Sequence, residues 1–232
     1  MVWPRSYALL GINAWKATRA TALIVLCLAV WKADALDISE LQVYETGGIY
    51  SIELAAVIDA PAEYVHRVLT DYVHMYRIHP SITQSDILTS PGNGIVRVST
   101  RIVDCILIFC VTLDRVEDVH EVSPFNLHTV IVPSLSNFRS GEADWNIDET
   151  GGRCRVTYKA RMEPGFTILP IIGTFLVREK LRSEMLSSLK RIECAAKLEE
   201  LLDWNPHLDA ATVDVDTLCS QICDSGNGRC AP

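Results

Sequence analysis

The sequence predicts an α+β fold: a curved antiparallel sheet of about seven strands wrapped on a long C-terminal helix, with two short helices after the first strand. Three observations predict it. Residues 81–162 fall into period-two runs divided by turn signals, residues 170–202 carry apolar positions at helical spacing, and the first strand runs into a helix start at Pro61. With 49% hydrophobic and 22% charged residues in 232, the composition is that of an ordinary globular protein. Gly and Pro are too few for a low-complexity chain.

The first 35 residues read as an export signal. Arg5, Lys16 and Arg19 form a positive n-region, Ala20 to Trp31 is an uncharged run apolar but for Thr21, and Ala33-Asp34-Ala35 offers small residues for cleavage after Ala35. The apolar run is about twelve residues, roughly 18 Å as a helix, short for a hydrocarbon core of about 30 Å. An uncleaved anchor running from Tyr7 to Trp31 is the alternative, and Lys16 and Arg19 inside it count against it. Export implies a periplasmic or secreted protein. Cleavage would remove four of 21 basic and one of 29 acidic residues, leaving 17 against 28, a formal charge of −11. A surface so acidic, with scattered Lys and Arg, excludes nucleic acid as a partner.

Residues 36–48 read as a polar linker. Ile49 to Asp59 alternates, with Tyr50, Ile52, Leu54, Ala56 and Ile58 on one face of a strand. Asp59-Ala-Pro-Ala-Glu63 then starts a helix with a capping acid and a first-turn proline, and a second short helix or turn, His74 to His79, ends at Pro80. Ile82 to Leu88 and Ile95 to Val103 flank the hairpin signal Ser90-Pro-Gly-Asn-Gly94. Leu107, Phe109, Val111 and Leu113 continue with opposite parity, which requires a turn near Asp104-Cys105. Leu127 to Val132 follows the break at Ser123-Pro124, and Phe138 to Ile147 leads into the turn Asp148-Glu-Thr-Gly-Gly152. In the last strand Cys154, Val156, Tyr158, Ala160 and Met162 oppose Arg155, Thr157, Lys159 and Arg161, the mark of a sheet covered on one side. The helix from about Pro170 to Leu202 supplies the cover through Phe175, Leu181, Met185, Leu189, Ile192 and Ala196, with Lys180 and Glu184 among the residues facing away. Residues 203–232 form a cysteine-bearing tail.

Without the leader seven cysteines remain, so at least one is unpaired within the chain. Cys219, Cys223 and Cys230 suit a small disulfide loop better than a zinc site, which lacks a fourth ligand at finger spacing. Cys105 and Cys110 would lie on opposite faces of a continuous strand, so pairing them requires a turn in the run between them. No Gly-x-Ser-x-Gly elbow and no His-Glu-x-x-His pair occurs, so no catalytic residue, metal or cofactor is expected.

Ile58-Asp-Ala-Pro-Ala-Glu63 with Val65, Leu69, Thr70, Asp71 and Tyr72 is similar to the strand-to-helix passage of coenzyme-Q-binding START-like proteins. Phe138-Arg-Ser-Gly-Glu-Ala-Asp-Trp145 looks like the strand of that family with its glycine and tryptophan. The order of elements over residues 49–202 resembles the START and birch-pollen-allergen (SRPBCC, helix-grip) superfamily, in its polyketide cyclase/dehydrase and lipid-transport branch. The resemblance implies a cavity for a lipid, quinone or polyketide-like molecule, with His79 and Arg77 either near its mouth or on a solvated turn.

The expected lining is Phe109, Val111, Val130, Trp145 and Tyr158 from the sheet, with Leu107 beside them, and Phe175, Met185 and Leu189 from the helix. Arg139 joins them if period two carries it inward with Ala143, Trp145 and Ile147, where it would need a ligand oxygen. A bulge or strand end that lets it reach water is the alternative. The function expected is non-enzymatic carriage of a hydrophobic small molecule, with transient membrane contact during exchange. A polyketide cyclase or dehydratase, and a protein-interaction module with an unidentified partner, are the alternatives.

Overall fold

The computed structural model describes residues 36–89, 91–106, 109–168 and 172–204. The expected leader and its cleavage site, Leu107, and Cys219, Cys223 and Cys230 lie outside them.

Eight strands form one antiparallel sheet among the described residues, in the order β1-β2-β8-β7-β6-β5-β4-β3. They are β1 (Asp37–Thr46), β2 (Ile49–Ile58), β3 (Ile82–Ile87), β4 (Ile95–Ile106), β5 (Phe109–Ser123), β6 (Asn126–Ile131), β7 (Phe138–Thr150) and β8 (Arg153–Pro164). Helix α1 (Ala62–Leu69) and a 3₁₀ turn (Met75–Arg77) stand between β2 and β3, and the long helix α2 (Ile172–Trp204) follows β8. The second short helix of the sequence reading is therefore a single turn.

The expected linker is an edge strand, β1, which pairs along β2 from Asp37↔Val57 to Thr46↔Ile49. A register shift between Ile38 and Glu40 displaces Leu41 and Val43 from the parity of Ile38, so strict alternation fails to reveal the strand. Gly47 and Gly48, with φ of 63° and 89°, close the two-residue hairpin that positive φ at both positions favours. Arg178 Nε donates to Val43 O at 3.0 Å and Arg182 Nη1 to Leu41 O at 3.3 Å, so α2 satisfies carbonyls that this edge would otherwise offer to another chain.

The core lies where α2 and α1 meet β2, β7 and β8. Ile58, Val65, Val156, Leu189 and Ile192 are almost wholly buried there. Each such aliphatic side chain contributes about 1.5–3 kcal/mol relative to exposure. Asp59 does not cap α1. Its carboxylate pairs with Lys197 at 2.9 Å, and the Ala62 N–H donates instead to Glu149 Oε2, at the end of β7, at 2.7 Å.

The β4–β5 reversal falls between Ile106 and Phe109, later than the parity change suggested, and places Cys105 opposite Cys110, which form a disulfide. Cys194 is disulfide-bonded as well. Cys154 is free and buried, its thiol pushed up to about 12 by burial, which leaves it unreactive. No helix among the described residues is long and apolar enough to cross a membrane.

Candidate functional site

The register decides which side chains look toward α2. Thr100, Ile102 and Asp104 of β4 face Arg115, Leu113 and Val111 of β5, and Trp145 of β7 faces Tyr158 of β8. Period two then puts Arg115 and Glu117 on the same covered face as Leu113 and Val119. Two ionised groups thus occupy positions where an antiparallel sheet ordinarily buries aliphatic side chains.

Helix α2 brings further polar groups to this face. Lys180 Nζ lies 2.8 Å from both Asp104 Oδ1 and Glu184 Oε1, which ties the helix to the end of β4. Glu184 Oε2 lies 3.7 Å from His79 Nδ1. His79 is held just past the 3₁₀ turn by its own backbone, its N–H donating to Met75 O and its carbonyl accepting from the Ile82 N–H. Ser188, one turn beyond Glu184, is 5% exposed. Arg115 Nε is 3.1 Å from Glu117 Oε2, with both side chains under one-fifth exposed.

Four of these groups present buried atoms that no protein group hydrogen-bonds: His79 Nδ1, Arg115 Nε, Glu184 Oε2 and Ser188 Oγ. Such atoms are rare in folded proteins; Arg115 Nε, His79 Nδ1 and Glu184 Oε2 keep contacts at ion-pair distance, whereas a wholly unsatisfied hydroxyl such as that of Ser188 costs about 1–3 kcal/mol. Burial, with Arg115 adding to it, pushes the His79 imidazole down to about 4, so the ring is neutral near pH 7. Burial likewise pushes the Tyr158 phenol up to about 12. Trp145 and Tyr158, cross-strand partners, pack with ring centroids 4.2 Å apart and tilted by 37°. Charged and neutral polar groups and an aromatic pair thus share the sheet face under α2, with Leu181 and Met185 of α2 in or against the same core as the aromatic pair. Among the described residues no cluster of three or more His, Cys, Asp and Glu is placed to hold a metal.

The expected lining is only partly assembled. Trp145, Tyr158, Met185 and Leu189 meet in or against the core between α2 and the sheet. Val130 does not line it: β6 turns Leu127, Thr129 and Ile131 inward, so Val130 sits opposite Glu142 on the outer face, 38% exposed. Val111 has the inward parity but is exposed, near the end of the hairpin. Phe175, in the first turn of α2, is 59% exposed. The Phe109 side chain lies outside the described ones. Arg139 is not buried, because a register shift between Phe138 and Ser140 breaks the alternation, and its guanidinium pairs in solvent with Glu163 at 3.2 Å.

Lys180 and Glu184, expected to face away, point to the sheet. Arg115, Glu117 and Ser188 were not anticipated, although charges on the parity of Leu113 and Val119 were a legible sign. A groove of about 250 Å³ on the outside, between α1 and the C-terminal half of α2, is a different feature. Its charged residues satisfy one another: Arg67 pairs with Glu199 and Asp203, and His74 with Asp71.

Comparison with known proteins places this geometry. A search of curated proteins by sequence returned no match. Among solved structures, the Zhui aromatase/cyclase from a Streptomyces species superposes with a TM-score of 0.53 at 14% identity, covering 72% of this chain and 99% of that one. Human STARD10 gives 0.53 at 13% identity, covering 88% and 87%. The protein TTHA0849 from Thermus thermophilus gives 0.51 at 18%, covering 64% and 98%. At such identities the likeness shows the fold. The sequence profile described as polyketide cyclase / dehydrase and lipid transport matches residues 50–197, well over half of the chain, so the protein belongs to that family.

Proposed function

We propose that this protein is an exported carrier that holds an amphiphilic small molecule between α2 and the sheet. The fold supports a role in binding hydrophobic ligands. The observation that carries the reading is the set of buried polar atoms without a hydrogen bond on the face that also holds the Trp145–Tyr158 pair, with Arg115 near the Tyr158 phenol. A protein selected only for stability would replace them with aliphatic groups, whereas a carrier needs both an apolar wall and hydrogen-bonding groups at one end of it. Hiding about 300 Å² of apolar ligand at roughly 25 cal/mol per Å² contributes several kcal/mol before ordering costs. Export is supported by the leader sequence and by disulfides at Cys105–Cys110 and Cys194, which suit an oxidising compartment.

Native mass spectrometry of the protein purified from its own source tests the reading. A co-purifying lipid, quinone or polyketide-like molecule is expected. Protein that emerges empty, and in which no amphiphile changes the tryptophan fluorescence, refutes carriage. One observation favours a cyclase or dehydratase instead: a neutral imidazole beside a carboxylate can move a proton. Turnover of a polyketide-like substrate that disappears in His79→Gln would establish that alternative.

A further inference from the structure

We propose that the bound molecule ends in an uncharged, hydroxyl-bearing group placed among Arg115, Ser188, His79 and Glu184, and that these residues turn away carboxylates and phosphates. The inference rests on the carrier reading and names the chemical class of its ligand.

Hydrogen-bond capacity is the first argument. Arg115 Nε can only donate and Glu184 Oε2, as a carboxylate oxygen, can only accept, while the Ser188 hydroxyl does both. A ligand hydroxyl also donates and accepts, so it can serve the carboxylate and the guanidinium together. A ligand carboxylate only accepts and leaves Glu184 Oε2 unserved. An ammonium only donates and leaves Arg115 Nε unserved. A hydrocarbon serves neither, and the buried groups retain their desolvation penalty.

Charge is the second, independent argument. Arg115 and Lys180 supply two positive charges at this wall, and Asp104, Glu117 and Glu184 supply three negative ones. His79, which faces Arg115 of β5, Asp104 of β4 and both Lys180 and Glu184 of α2, adds none because its partly buried ring is neutral. These groups therefore sum to a net charge of −1, on side chains that are all less than one-third exposed. An anionic head would add a like charge where the effective dielectric constant is low, and a neutral head would not. The single cation not closely engaged by two carboxylates, Arg115, already stands 3.1 Å from Glu117. The Arg139 guanidinium, which could have drawn an anion, is outside on Glu163.

The test is titration of the full-length protein near neutral pH with 1-dodecanol, dodecanoate and dodecylamine, followed by calorimetry. The alcohol is expected to bind at least about tenfold tighter than the carboxylate, a difference of about 1.4 kcal/mol. Glu184→Gln removes one negative charge at constant size and should narrow that gap to about threefold or less. Ser188→Ala, which keeps the helix intact, should weaken the alcohol several-fold and leave the carboxylate unchanged. A carboxylate that binds as tightly as the alcohol, or a preference unaltered in both variants, overturns the assignment. So does binding of neither probe. Native mass spectrometry then separates the two failures: an amphiphile of other head-group chemistry in the source-purified protein preserves carriage and removes only the hydroxyl assignment.

Discussion

Replacing Ser188 with alanine should stabilise the ligand-free protein, the reverse of what truncating a buried side chain ordinarily does. Ser188 is 5% exposed, lies in the interior of a 33-residue helix, and its hydroxyl has no protein partner. Removing an unsatisfied buried hydroxyl recovers about 1–3 kcal/mol. Alanine adds about 0.5 kcal/mol of helix propensity, and the small void left behind takes back about 0.5 kcal/mol. The last two cancel, so the net is a gain of about 1–3 kcal/mol. For a body of this size 1 kcal/mol moves the midpoint by about 2–4 °C, so Tm should rise by at least about 2 °C, and by up to about 12 °C, in a thermal melt of delipidated protein. The same variant should bind the alcohol probe less well, so stability and affinity move in opposite directions. A Tm that stays put or falls would mean the hydroxyl is satisfied in the ligand-free protein, and the argument from unpaired atoms would fail with it.

The neutral His79 makes stability depend on acid. Its folded value lies below the ordinary 6.5, so as pH falls from about 6.5 toward about 4 the unfolded chain takes up the proton first and stability drops, by at most about 3 kcal/mol. His79→Gln should flatten denaturation midpoints across that window, and an unchanged slope would assign the loss to other groups. The Cys105–Cys110 disulfide closes a loop of about six residues, worth about 2 kcal/mol in chain entropy, so the double serine variant should melt several degrees lower. Melting at the wild-type temperature would show that the hairpin holds its register without the bond. A Cβ at Gly165 would stand 2.7 Å from the Asn137 carbonyl oxygen, and backbone cannot rotate away as a side chain can. Gly165→Ala should therefore cost about 1–3 kcal/mol in urea denaturation, and a neutral result would show that the β7–β8 end shifts freely.

Where one apolar face met one polar face, the sequence was readable. Tyr50, Ile52, Leu54, Ala56 and Ile58 are all within 3% of full burial, as their alternation implied, and Cys154, Val156 and Ala160 of β8 follow the same rule. The stripe on α2 holds from Leu181 to Ala196. Failures cluster at register shifts. The bulge at Ile38/Glu40 concealed β1, and the one at Phe138/Ser140 turned Arg139 out to water. Val130 was misplaced for a related reason, because in Leu127 to Val132 apolar residues fall on both parities and only pairing with β5 and β7 selects a face. Phe175 was misplaced because the first turn of α2 meets the sheet through Thr174, at the Tyr50 hydroxyl, which leaves Phe175 exposed.

Period, turn chemistry and length were enough to determine, from sequence alone, that a one-sided antiparallel sheet and a long amphipathic helix would cover each other, because these are local properties of the chain. The polar wall was decided only in three dimensions. Arg115, Glu184, Ser188 and His79 come from a strand, a helix and a turn, and as isolated letters each is an ordinary surface residue. Strand register and the placement of α2 take them out of water together, and burial then turns ordinary side chains into groups that need a partner.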